Sequence, residues 1–145
     1  MSFYGYKDCD VPAICDDYYG IKDPKDLYDS LTQIWSADTC APRMRDRWTK
    51  EDPSLGQCSI TAFLVQDIFG GKVYGVPLND GNYHCFNVVD GHVFDITSEQ
   101  FDHELNYTLE HEQSREVHFS KAEKKERYEI LKRRLKEYCE KKRAV

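Results

Sequence analysis

The feature that most restricts the fold of this chain is a change of period at Gly70-Gly71. Before it, the stretch "CSITAFLVQDIF" (residues 58–69) sets Ile60, Phe63, Leu64 and Ile68 at 3.6-residue spacing. Gln66-Asp67 break any alternation and the glycine pair supplies a C-terminal stop, so the stretch predicts a helix in spite of its β-branched residues. It is apolar nearly all round, and such a helix has to be covered on every side. After the glycines the period becomes two. "KVYGVPL", "YHCFNVV" and "HVFDIT" predict strands, joined by the turn signals "NDGN" and "DG". A buried helix packed on an antiparallel meander, with flanking helices, is an α+β domain.

The flanking segments fit this plan. In "DPKDLYDSLTQIW" Asp23 suits the cap, Pro24 the first helical position, and Leu27, Leu31 and Ile34 share one face, which predicts a helix ending near Trp35. Residues 36–57 carry two prolines, a glycine and no period. A structureless connection of that length in a compact domain is usually functional or mobile, and this one delivers the chain to Cys58, so it is expected to border a cleft. Thr97 with Gln100, and Ser120 with Glu123, have capping-box spacing. Tyr128, Leu131, Leu135 and Tyr138 give a C-terminal helix over 120–143 an apolar stripe, whereas 106–119 is ambiguous. No repeat or flexible linker interrupts the 145 residues, so 1–145 reads as one domain, with 1–20 as an N-terminal extension.

Charge and cysteine usage narrow the function classes. The net charge of -6 is uneven: residues 121–143 hold eleven basic and five acidic side chains, which leaves -12 on the rest. Glu123 with Arg127, Glu129 with Arg133 and Glu137 with Lys141 are favourable i,i+4 pairs, so this basic helix reads as a solvated face and no nucleic-acid partner is expected. No apolar run approaches the roughly 20 residues of a membrane helix, and the first residues lack the pattern of a secretory signal; the expectation is a cytoplasmic protein with no membrane partner. Six cysteines without a CxxC pair read as free thiols in a reducing compartment, with no metal site and no cofactor expected.

Cys58 is the residue with chemistry to explain. It opens the buried helix, where unpaired N–H groups and the positive end of the dipole favour a thiolate. A nucleophilic thiol also needs a base, held in turn by a third group. With Asp90-Gly91 as a two-residue hairpin loop, Val89 faces His92 and Phe86 faces Asp95, which sets His84 and Asp95 on one sheet face as diagonal neighbours. Asp95 lies between Phe94 and Ile96, where an unpartnered carboxylate is costly, and His84 is its nearest candidate partner. The order predicts a thiol triad: Cys58 attacks a carbonyl, His84 takes and returns the proton, Asp95 orients the ring, and the Cys58 N–H helps to hold the oxyanion. Gln57 is a candidate second oxyanion donor. Trp35 and Arg43 are candidates for substrate contact, although core packing accounts better for Trp35, and a solvated loop accounts equally well for Arg43, Arg45 and Arg47.

"IWSADTC", "DPSLGQCSITAFLVQDIFGG", "YHCFNVVDGHVFDITSEQF" and "RYEILKRRL" resemble the YunG-like family of small bacterial proteins, over about Leu27 to Leu135. In its arrangement of Cys, His and Asp that family is similar to the papain-like and transglutaminase-like superfamily, in which a cysteine on a helix faces a histidine and an acid or amide on a sheet. The resemblance implies a papain-like domain with Cys58, His84 and Asp95 as catalytic residues. Two departures stand out: the family-typical aromatic after the histidine is here Cys85-Phe86, and residues 1–20 match no known pattern. The function expected is a cysteine-dependent hydrolase or acyltransferase acting on an amide, ester or thioester in a small molecule or peptide. The alternative is a catalytically inactive binding module that uses the same cleft.

Overall fold

The computed structural model describes residues 2–145. Helix α1 runs Pro24–Ile34, and the Asp23 carboxylate accepts a hydrogen bond from the Asp26 N–H at 3.0 Å, the cap expected from Asp-Pro at a helix start. Helix α2 is Cys58–Phe69, ended at Gly70 with φ 83°, and nine of its residues are buried. Strands β1 (Lys72–Pro77), β2 (Tyr83–Val89) and β3 (His92–Phe94) form an antiparallel sheet in the order β1-β2-β3. Asp90 (φ 49°) and Gly91 (φ 80°) both lie in the left-handed region, as a type I′ hairpin demands. The resulting pairs, Val89 with His92, Val88 with Val93 and Asn87 with Phe94, keep the register expected from a two-residue loop. A short helix α3 (Arg115–Phe119) and the long helix α4 (Ala122–Arg143) complete this α+β architecture. No helix among the described residues is long and apolar enough to cross a membrane.

The core lies around α2, which packs on β2 on one side and on α4 on the other, while α1 also packs on α4. Leu27, Leu31, Phe63, Leu64, Leu131 and Leu135 are fully buried, each contributing about 1.5–3 kcal/mol relative to exposure. The side chains of β2 divide between two layers. Asn87 donates to the Ala62 carbonyl of α2 at 2.9 Å, and Cys85 and Val89 join the same core. On the opposite face Tyr107 lies edge-on to Phe86, with ring centroids 5.0 Å apart.

Four local expectations differ from the structure. β3 ends at Phe94 instead of Thr97, because Asp95 leaves the ladder and bridges the N-terminal segment, its N–H donating to the Tyr4 carbonyl at 3.0 Å. Residues 2–20 are therefore no simple extension, since Phe3, Cys9 and Val11 are buried in the common core. Neither capping box forms: Thr97 turns its hydroxyl to Asp95, and Ser120 closes α3 while Lys121 precedes α4. Finally, the 36–57 connection is ordered by its own bonds, with a 3-10 turn at Pro42–Arg47 whose Arg45 donates to the Ala37 and Cys40 carbonyls.

Candidate active site

Cys58 is delivered by a tight turn. Gly56 has φ 71°, and a side chain there would stand 2.4 Å from the Cys40 sulfur. The Gln57 N–H closes the turn on the Ser54 carbonyl at 3.1 Å. α2 then begins with no side-chain cap, which leaves its first-turn N–H groups free to polarise the sulfur or a ligand.

The thiol sits over an open edge of β2. Gly75, the β1 partner of Cys85, directs its N–H outward to the His111 carbonyl, so the N–H of Cys85 points away from β1. On that side β3 has already ended, and Cys58 takes the place, where the Cys85 thiol and N–H and the His84 ring act on its sulfur as donors. These donors, the Cys85 thiol foremost, hold the Cys58 thiol well below its usual range against the opposing effect of burial. Cys85 is raised well above its own, chiefly by donating to Cys58.

Behind the thiol stands a buried ion pair. His84 and Asp95 are each 1% exposed, with Nε2 2.6 Å from Oδ2, which leaves Nδ1 for the sulfur. Burial disfavours a charged ring, yet the charges of Asp95 and Cys58 outweigh it and raise His84 to about 10. Asp95 also accepts from the Tyr107 hydroxyl at 2.7 Å and from the Thr97 N–H and hydroxyl at 3.1 Å each. Phe101 stands perpendicular to the His84 ring at 4.7 Å. The arrangement can keep a thiolate and an imidazolium side by side at neutral pH and hold that ring in one orientation.

A cleft of about 540 Å³ opens onto Cys58 and His84, walled by Ala41 to Met44 of the long connection, the β1-β2 turn, Phe101 and the start of α4. Arg43 lines it, 3.8 Å from Asp80. The other two peripheral candidates do not. Gln57 is fully buried and its amide donates to the Ser36 carbonyl at 3.0 Å, so it is not presented to an oxyanion. Trp35 is 4% exposed and its indole donates to Thr61 of α2 at 3.1 Å, a core role. Sequence reasoning passed over Tyr107, Phe101 and Lys124. Tyr107 lies in the stretch without a period, and Lys124 read as part of a solvated helix face, so neither carried a local signal.

The family model described as YunG protein matches residues 23–140. The chain belongs to the YunG family. It is similar to the protein named "Uncharacterized protein YunG" from Bacillus subtilis (strain 168), at 40% identity over 77 residues, which are 53% of this chain and 62% of that one. No solved structure matches the chain. The YunG match contains Cys58, His84, Asp95 and Tyr107, whereas Tyr4, which bridges Asp95, lies outside it.

Proposed function

We propose that this YunG-family chain is a cysteine-dependent hydrolase or acyltransferase of papain-like and transglutaminase-like build, acting on an amide, ester or thioester. The observation that supports this reading is the buried His84–Asp95 pair, set against a thiol at a helix N-terminus on the floor of a cleft. The Cys58 thiolate adds to the carbonyl carbon, and negative charge develops on its oxygen near the Cys58 and Ser59 N–H groups, which have no intrahelical acceptor. Collapse expels the amine, alcohol or thiol, to which the His84 imidazolium gives its proton, leaving a thioester on Cys58. Water, or another nucleophile in the transfer case, then attacks the thioester and loses its proton to His84. The Cys58 thiolate departs with the electron pair, and thiolate and imidazolium are restored. Asp95 keeps Nε2 occupied throughout, so Nδ1 faces the chemistry.

Two measurements test the proposal. Only Cys58 and Cys15 are partly exposed among the six thiols, so Cys15 is an internal control. With p-nitrophenyl acetate, wild type should release a burst of one p-nitrophenolate per chain and carry one acetyl group on Cys58, and Cys58→Ala should do neither. Iodoacetamide at pH 7 should label Cys58 at least about tenfold faster than Cys15, and His84→Ala should remove that advantage. Equal labelling of the two thiols together with no burst would overturn the enzyme in favour of a binding module.

A further inference from the structure

The chain is acidic, at -6, yet the cleft over Cys58 is bordered by five Lys or Arg side chains and two carboxylates. Both carboxylates are engaged. Asp80 lies 3.8 Å from Arg43, and Glu123 accepts from the Arg127 guanidinium at 2.9 Å. Among the described residues, Arg47, Lys121 and Lys124 have no carboxylate within ion-pair distance. Elsewhere on the same helix Lys125 pairs with Glu129 and Lys136 with Glu140, whereas Lys132, Arg133, Lys141, Lys142 and Arg143 make no such pair, so what sets the cleft side apart is that its unpaired Lys124 is half-buried.

Lys124 is the most telling of the three. Its ammonium is aimed at His118 Nδ1 at 2.9 Å, and the other ring nitrogen donates to the Gln113 side-chain amide oxygen at 2.9 Å, so a chain of polar groups fixes its place. Burial depresses its pKa in spite of the nearby Cys85 and Cys58 sulfurs, which marks a partly desolvated cation with no carboxylate partner. The Cys58 thiolate already has His84 as its partner. Holding a cation so costs stability, and a ligand anion would offset that cost.

We propose that the cleft takes an acyl substrate bearing a carboxylate or phosphate, received by Arg47, Lys121 and Lys124 while its carbonyl meets Cys58. This rests on Cys58 being the nucleophile, but the field of the cleft can be read separately. Iodoacetate and iodoacetamide alkylate the same thiol and differ in charge. The ratio of their rates at Cys58, divided by the ratio for 2-mercaptoethanol, reports the local potential whatever the absolute reactivity. In about 10 mM salt, where screening extends over about 30 Å, three unpaired cations should raise this normalised ratio about three- to tenfold. It should fall towards one in 0.5 M salt and in the double variant Arg47→Gln, Lys121→Gln, whose mutated side chains are exposed and whose iodoacetamide rate serves as the folding control. A ratio at or below one, or one indifferent to salt, overturns the proposal. Slow labelling by both reagents with a raised ratio would sink the nucleophile and leave the anion site standing. Glutarate and inorganic phosphate, tested as protectants against iodoacetamide, separate the two anions: protection by one assigns it, and protection by neither at tens of millimolar overturns the site.

Discussion

Four hydrogen bonds converge on the buried Asp95 carboxylate, from His84, Tyr107 and two groups of Thr97, and their sharing decides what His84 can do. Thr97 occupies Oδ1, so Oδ2 is left for the ring and the phenol. Burial foremost, with the neighbouring Asp95 charge, pushes Tyr107 far above its usual range, so at neutral pH its hydroxyl keeps the proton it donates to Asp95. Tyr107→Phe keeps the ring against Phe86 and Tyr4 and removes that donor. The expected outcome is a loss of about 1–2 kcal/mol in urea unfolding, with a several-fold slower alkylation of Cys58 at pH 7. Unchanged stability and rate would reduce Tyr107 to a packing residue. The pH profile has a definite sign as well. Because Cys58 is lowered and His84 is raised to about 10, alkylation should stay level through neutral pH and fall only as acid protonates the sulfur. His84→Ala should move the rising limb to higher pH, though not the whole way, because the Cys85 thiol still acts on the sulfur.

Among the elements, the N-terminal arm does more than its position at the chain end suggests. Tyr4 bridges Asp95 and its N–H donates to the Ser98 hydroxyl at 2.9 Å, so the arm clamps the turn that carries the carboxylate. The next residue makes the clamp possible. Gly5 has φ 86°, and a Cβ there would lie 2.4 Å from the Val93 carbonyl oxygen and 2.8 Å from the Phe94 Cβ. Gly5→Ala meets both a disfavoured backbone conformation and a backbone contact that cannot yield, and should cost about 2–4 kcal/mol in urea unfolding. Since the displaced arm releases the Asp95 turn, Cys58 should also lose part of its alkylation advantage over Cys15. Full stability in the variant would mean that the arm does not hold β3.

For the molecule as a whole, His118 ties the helical layer together. Its ring packs on Phe63 of α2 at 5.1 Å and bonds Lys124 of α4 and Gln113 of the arm that precedes α3. Burial, and then the nearby Lys124 charge, depress it from 6.5 to about 4. The unfolded chain thus takes up a proton near pH 6.5 that the folded chain refuses until about pH 4. Stability is unaffected by this group above 6.5 and falls as pH drops from 6.5 to about 4, by roughly 1–3 kcal/mol once partial exposure is allowed for. His118→Gln should flatten this part of the slope in urea titrations at pH 7 and pH 4.5. An identical slope in the variant would assign the acid sensitivity to other groups, such as Asp38, which the Arg134 guanidinium holds below its usual range.

The parts legible in the chain were those written in adjacent residues. Asp23-Pro24 starts α1, the change of period at Gly70-Gly71 separates helix from sheet, and Asp90-Gly91 sets a register that puts His84 and Asp95 on one face. Each of these rests on backbone preferences or side-chain alternation, which act over a few residues. The rest depended on contacts between distant segments. Asp95 exchanges β3 for Tyr4, Tyr107 reaches back to Asp95, the Gln57 amide turns from the cleft to Ser36, and Lys124 lines the cleft with its ammonium on His118. No period marks such pairings, because they are chosen by which buried polar groups find partners once the layers close. The thiol shows both sides: its place at the start of α2 follows from local spacing, but the open edge of β2 can act on it only because β3 stops three residues early.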